Sequence, residues 1–151
     1  MSAPTEYELD IYRQVEEYIL DLKNSPNFFD KQKANTLSQN LHNIPHECRE
    51  GFVKFIKNGW VFLNVAYLNR ALLGTIDLVF LDIPSKQAVR LNQDGRVVGI
   101  LPVKMHHNPN LIDAEYDKKW KNVDYSVDEF LDYFNMLQKL DKSDVEAIEN
   151  L

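Results

Sequence analysis

The residues best suited to chemistry in this 151-residue chain are four histidines and one cysteine, in two groups. His42 and His46 bracket Asn43-Ile44-Pro45 and stand beside Glu47 and Cys48, while His106 and His107 are adjacent, with Asp113 and Glu115 following. Imidazole, thiolate and carboxylate are the ligand types of zinc and other transition metals. A metal centre drawn from His46, Cys48, His106 and His107 requires the two groups to converge. Pro45 keeps His42 and His46 off one regular helical face. Adjacent histidines in a strand point to opposite faces, so only one of His106 and His107 could take part.

Nucleophilic chemistry is the other option. Cys48 falls in the first turn of an expected helix, where the dipole favours thiolate. It also shares an apolar stripe with Phe52 and Phe55, where a cysteine serves as core filling. Asp77 and Asp82 are five residues apart, on opposite faces of an extended strand, and make a poor acid–base couple. The glycines at 51, 59, 74, 95 and 99 never cluster as a phosphate-binding loop requires. No nucleophile elbow, paired-histidine zinc helix or EF-hand loop is present in the sequence. The reading is therefore of no cofactor and no catalytic residue, with a small hydrolase or transferase using histidine, cysteine or a metal as the rival.

Aromatic residues offer a different kind of site. Tyr116, Trp120 and Tyr125 lie in an irregular stretch with Asp113, Glu115, Asp117 and Asp124. Aromatics concentrate at interface hot spots, and carboxylates around them favour a basic partner. Asp113, Glu115, Tyr116, Asp117, Trp120 and Asp124 are thus the candidate contact residues. Lys118, Lys119 and Lys121 dilute the charge, and packing of Trp120 onto its own domain competes with a binding role.

The elements that must position these groups follow from periodicity. Residues 5–23 read as a helix, with Thr5 and Glu8 in capping-box spacing and Leu9, Tyr12, Val15, Ile19 and Leu22 as its apolar face. Phe28 and Phe29 are expected to plug the core from a loop, ahead of a weaker helix over 30–41 bearing Ala34, Leu37 and Leu41. A third helix starts at Pro45, buries Cys48, Phe52, Phe55 and Ile56, and ends at Gly59.

Residues 59–84 are the densest apolar run and the expected core. Asn64, Asn69, Arg70, Asp77 and Asp82 interrupt it too often for a membrane span. Within it 60–63 and 75–83 read as strands, and 64–73 leans towards a short helix closed by Gly74. Residues 88–91 and 96–103 form a hairpin around Asn92-Gln93-Asp94-Gly95, with Pro102 placing the second strand at an edge or near a bulge. Ser126 and Glu129 cap a helix carrying Phe130, Leu131, Phe134, Leu137 and Leu140, with Tyr125 and Phe130 spaced for a hydrophobic staple. Ser143 and Glu146 begin a short tail helix, 143–151, with Val145, Ile148 and Leu151. The pattern is one α+β domain: N-terminal helices, a small, mostly antiparallel sheet with a hairpin, and C-terminal helices.

Composition agrees with one globular unit, at 44% hydrophobic and 26% charged residues. A net charge of -6 argues against general nucleic-acid binding and suits a basic protein partner. A single cysteine excludes an intrachain disulfide, and the first residues lack a secretory signal, so a cytoplasmic protein, of the cell or of a host cell, is expected. The oligomeric state is left open.

Three segments are similar to the SUKH superfamily of immunity proteins: Ile44-Pro45 followed by Phe52-Val53-Lys54-Phe55-Ile56-Lys57-Asn58-Gly59, the hairpin Leu91-Asn92-Gln93-Asp94-Gly95-Arg96-Val97, and Tyr125-Ser126-Val127-Asp128-Glu129-Phe130-Leu131. The resemblance implies an α+β protein that binds and neutralises a toxin or other protein without catalysis. The leading expectation is a non-enzymatic protein-binding module of inhibitor or immunity type. A structural or assembly subunit docking through its tail helix is a further alternative.

Overall fold

The computed structural model describes residues 4–67, 76–102 and 120–137. His106, His107, Asp113, Glu115, Tyr116, Asp117, the 143–151 segment and the second half of the 64–73 stretch lie outside the described residues.

Three helices lead: α1 (Glu6–Asn24), α2 (Phe28–Gln39) and, after a 3-10 turn at Leu41–Asn43, α3 (His46–Lys57). The Thr5 hydroxyl accepts from the Glu8 amide at 3.1 Å, as the capping-box spacing predicts. The buried face of α1 is Ile11, Val15 and Ile19, flanked by Tyr18 and Leu22; Leu9 points to solvent at 54% exposure. The predicted stripe holds at Val15, Ile19 and Leu22 and differs at its start, where Ile11 rather than Leu9 enters the core. Phe28 is not a core plug either: it opens α2 and is 66% exposed, the Asn27 side chain having capped the helix at this point. Ala34 and Leu37 are buried.

Five strands form one antiparallel sheet: β1 (Val61–Tyr67), β2 (Ile76–Asp82), β3 (Gln87–Leu91), β4 (Arg96–Pro102) and β5 (Lys121–Ser126). Each pairs with its sequence neighbour, so the spatial order is β1-β2-β3-β4-β5. A fourth helix, α4, covers residues 127–137. The chain is thus an α+β domain with helices before and after the sheet. Residues 64–67 continue β1 rather than starting a helix, because Val65 pairs with Leu78 and enters the core beside it. Pro102 does not mark an edge: β4 lies between β3 and β5, and Pro102 is its last residue, past the final β5 pairing at Ile100.

The sheet is buried on both faces. On one, Phe62, Phe80, Leu78, Val89, Leu91 and Val97 pack against Phe52, Phe55, Val15 and Leu37 of the helices. Phe80 stacks on Phe55 at 4.9 Å and meets Phe52 and Phe62 at 5.3 and 5.9 Å between ring centroids. On the other, Leu63, Val79, Leu81, Ala88 and Leu101 form a second cluster, with Trp120 against it. A bulge at Val97–Gly99 resets the alternation of β4, so Val97 and Ile100, three residues apart, serve the same helix-side core.

The turn of the predicted hairpin is held against α3. Gly95 has φ +78, and a Cβ there would lie 2.7 Å from the Glu47 carbonyl oxygen. The Gln93 side chain donates to the Asn43 carbonyl at 2.8 Å across the same contact. Glycine is required here for both conformation and clearance.

Candidate protein-binding surface

The described catalytic candidates sit at the start of α3. Cys48 is 2% exposed within the main core, and burial pushes its thiol up to about 12. At neutral pH it is a protonated core side chain, which removes Cys48 as nucleophile or metal ligand. His46 is held edge-on to the rings of Tyr7 and Tyr12, with Nε2 3.6 Å from a Glu50 oxygen. Arg49 stacks over Tyr12 and donates to the Leu41 and Ile44 carbonyls, tying the turn before α3 to the helix. Among the described residues no three His, Cys, Asp or Glu side chains gather as a metal-binding group.

Asp77 and Asp82 are separated, as the strand period requires. Asp77 is 1% exposed, on the second sheet face, and accepts from Arg90 Nε at 3.0 Å. Burial raises its carboxyl above the usual value, and the Arg90 charge opposes that shift. Its Oδ1 has no hydrogen-bond partner among the described residues. Asp82 ends β2 and accepts from the Ser85 amide in the following turn.

Two of the predicted contact residues are placed by β5. Trp120 immediately precedes the strand, half-buried, with the Arg90 guanidinium 5.5 Å from its ring. Gly99 lets it approach: a Cβ there would lie 3.1 Å from the indole. Trp120 therefore anchors the strand to the second cluster, the packing role foreseen as the competitor of binding. Asp124 is exposed and pairs with Arg96 of β4, a solvent-screened pair that orients both side chains along the sheet margin. Residues 121–126 carry no strand signal in the sequence; Lys-Asn-Val-Asp-Tyr-Ser has the composition of an exposed edge, and among the described residues β5 is the last strand of the sheet. Four of its six side chains are exposed and none is buried.

On the opposite side of β5 lies an apolar groove of about 960 Å³. Its floor and sheet wall include Ile100, Val123 and Tyr125, and its far wall is the α4 face bearing Phe130, Phe134 and Leu137. Ser126 caps α4 by accepting from the Glu129 amide at 3.1 Å, and Lys54 ties Asp128 to α3 at 3.0 Å. Phe130 and Phe134 stack on each other, and Trp60 lies 5.0 Å from Phe134, so an aromatic row runs from the core into the groove wall. Tyr125 and Tyr133 stand at the rim, 44% and 59% exposed. The groove was not foreseen because its walls come from four separate segments. The signal available was the α4 stripe, which continues to Leu137 beyond the residues that the core covers. No protein-family model, curated protein or solved structure matches the chain.

Proposed function

We propose that this chain is a non-enzymatic protein-binding module, of inhibitor or immunity type, that engages a basic protein along β5 and the acidic stretch leading into it. The contact residues are Asp113, Glu115, Tyr116, Asp117 and Asp124, with Trp120 fixing the strand to the domain. The observation that carries this reading is the position of β5 at the margin of the sheet formed by the described residues, with four of its six side chains exposed. An edge strand offers backbone donors and acceptors on which an extended partner segment can add. Carboxylates beside it select a partner with Lys and Arg and speed the encounter. The net charge of -6 acts in the same direction. Cys48, withdrawn into the core, weighs against the nucleophilic rival.

The test uses purified protein as bait in an extract of its native cell, beside a variant carrying Asp113→Lys, Glu115→Lys and Asp124→Lys. A stoichiometric protein retained by the first and lost from the second, at equal unfolding midpoints, supports the reading. Equal retention by both removes this surface as the binding site.

A further inference from the structure

Lys33 of α2 is 8% exposed, on the same helix as the fully buried Ala34 and Leu37. Its one charged neighbour among the described residues is Asp30, and the Nζ–Oδ1 distance of 3.9 Å is too long for a hydrogen bond. The other Asp30 oxygen accepts from Ser25 Oγ at 2.7 Å, which holds that carboxylate towards the start of the helix. An ammonium carries three donors, and burying one without partners is costly. Burial accordingly lowers the Lys33 pKa below the usual lysine value, with the Asp30 charge opposing that shift.

The surface that Lys33 retains opens on a cleft of about 190 Å³ between α2 and β1, lined also by Phe29, Gln32, Thr36, Leu63 and Asn64. Phe29, Lys33 and Thr36 stand four and three residues apart and so share one face of α2, the helix that packs on β1. Phe29 and Leu63 give the cleft apolar surface, while Gln32 and Asn64, both exposed, bring side-chain amides to it. These features select a ligand. One cation suits a monoanion, and the Asp30 carboxylate nearby disfavours a second negative charge. The volume is that of about six waters at ~30 Å³ each, room for a carboxylate with a short hydrocarbon tail.

We propose that the cleft between α2 and β1 binds a small monocarboxylic acid, its carboxylate on Lys33 Nζ and its hydrocarbon tail against Phe29 and Leu63. The anion supplies the charge-assisted partner that the buried ammonium lacks. β1 and β5 stand at opposite ends of the strand order, so the site is independent of partner binding at β5.

Magnetic resonance titration of the full chain with sodium butyrate, against sodium chloride at equal ionic strength, tests it. Saturable shifts are expected at the amides of Phe29, Lys33, Leu63 and Asn64 with butyrate and not with chloride. Acetate, which has no tail to reach the apolar surface, should bind more weakly, and sulfate should not displace butyrate. Lys33→Met keeps the stem, removes the charge and should raise the butyrate Kd at least about tenfold. Its unfolding midpoint should be no lower than that of the unaltered chain, because an unsatisfied buried charge has been removed. Asn64→Asp, an exposed change outside the core, should weaken butyrate by about threefold through repulsion. Shifts that stay linear in butyrate overturn the proposal, as does equal butyrate affinity in either variant. Acetate binding as tightly as butyrate, or displacement of butyrate by sulfate, also overturns it, since the cleft would then take inorganic or tailless anions.

Discussion

Strands β2 and β5 belong to one sheet and have opposite characters. β2 is enclosed on both faces: from Ile76 to Leu81 every residue is buried, and Asp77 is the one polar side chain among them. β5 presents Lys121, Asn122, Asp124 and Tyr125 to solvent and, among the described residues, is held by pairing with β4, by Trp120 at its start and by the α4 cap at its end. A strand like β2 supplies stability and has no surface to offer a partner. A strand like β5 contributes little core and retains the surface and edge that recognition needs. Changes in β2 should therefore act on folding and changes in β5 on binding.

The largest effect is expected at Phe80, fully buried among three phenylalanine rings. Phe80→Ala should cost about 3–5 kcal/mol in chemical denaturation. Next is the Asp77–Arg90 pair, where Arg90→Ala leaves a buried carboxylate without its cation and should cost about 3 kcal/mol. The same pair has a pH signature. Because burial raises the Asp77 carboxyl in the fold, the folded state holds that proton more tightly than the unfolded chain. Its contribution is therefore greatest below the unfolded pKa and is lost as pH rises, from about pH 4 upward through the raised value. Asp77→Asn should flatten that part of the stability profile, and an unchanged profile would show that Asp77 does not titrate differently in the fold. At the β5–α4 junction the expected cost is smaller: Ser126→Ala removes one cap and should lower stability by about 1 kcal/mol. Asp124→Lys separates the two strands most cleanly, since it should leave the unfolding midpoint unmoved while weakening partner binding by about tenfold or more in calorimetry. A lowered midpoint with binding intact would assign β5 to structure.

Elements specified by local chemistry were legible in the sequence. The caps at Thr5 and Ser126, the Gly59 helix stop and the Asn92–Gly95 turn are each settled within a few residues, and each stands where its spacing places it. Elements decided by tertiary context were not. Leu9 and Ile11 both fit an amphipathic α1, and only the approach of the other elements selects Ile11. Asn64 and Ala66 interrupt the β signal of a strand whose identity comes from pairing with β2. β5 has almost no apolar code, since an edge strand buries little. Of the site, Trp120 and Asp124 are legible from composition alone, whereas the groove requires α4, β4, β5 and the β2–β3 turn to be brought together.

The neighbour-to-neighbour order of the sheet also bears on how the chain reaches this state. Among the described residues every strand pairing joins consecutive strands, and the β2–β3 and β3–β4 turns are short, so that part of the sheet can grow by local closures, each with a modest entropic cost. The contacts of Phe130 and Phe134 with Phe55 and Trp60 instead span some seventy residues of chain. Assembly should therefore proceed from α3 and the hairpins outward, with α4 locking last. During synthesis β1 to β4 can pair before α4 has left the ribosome, and the part of the molecule that forms latest is the part that carries the groove.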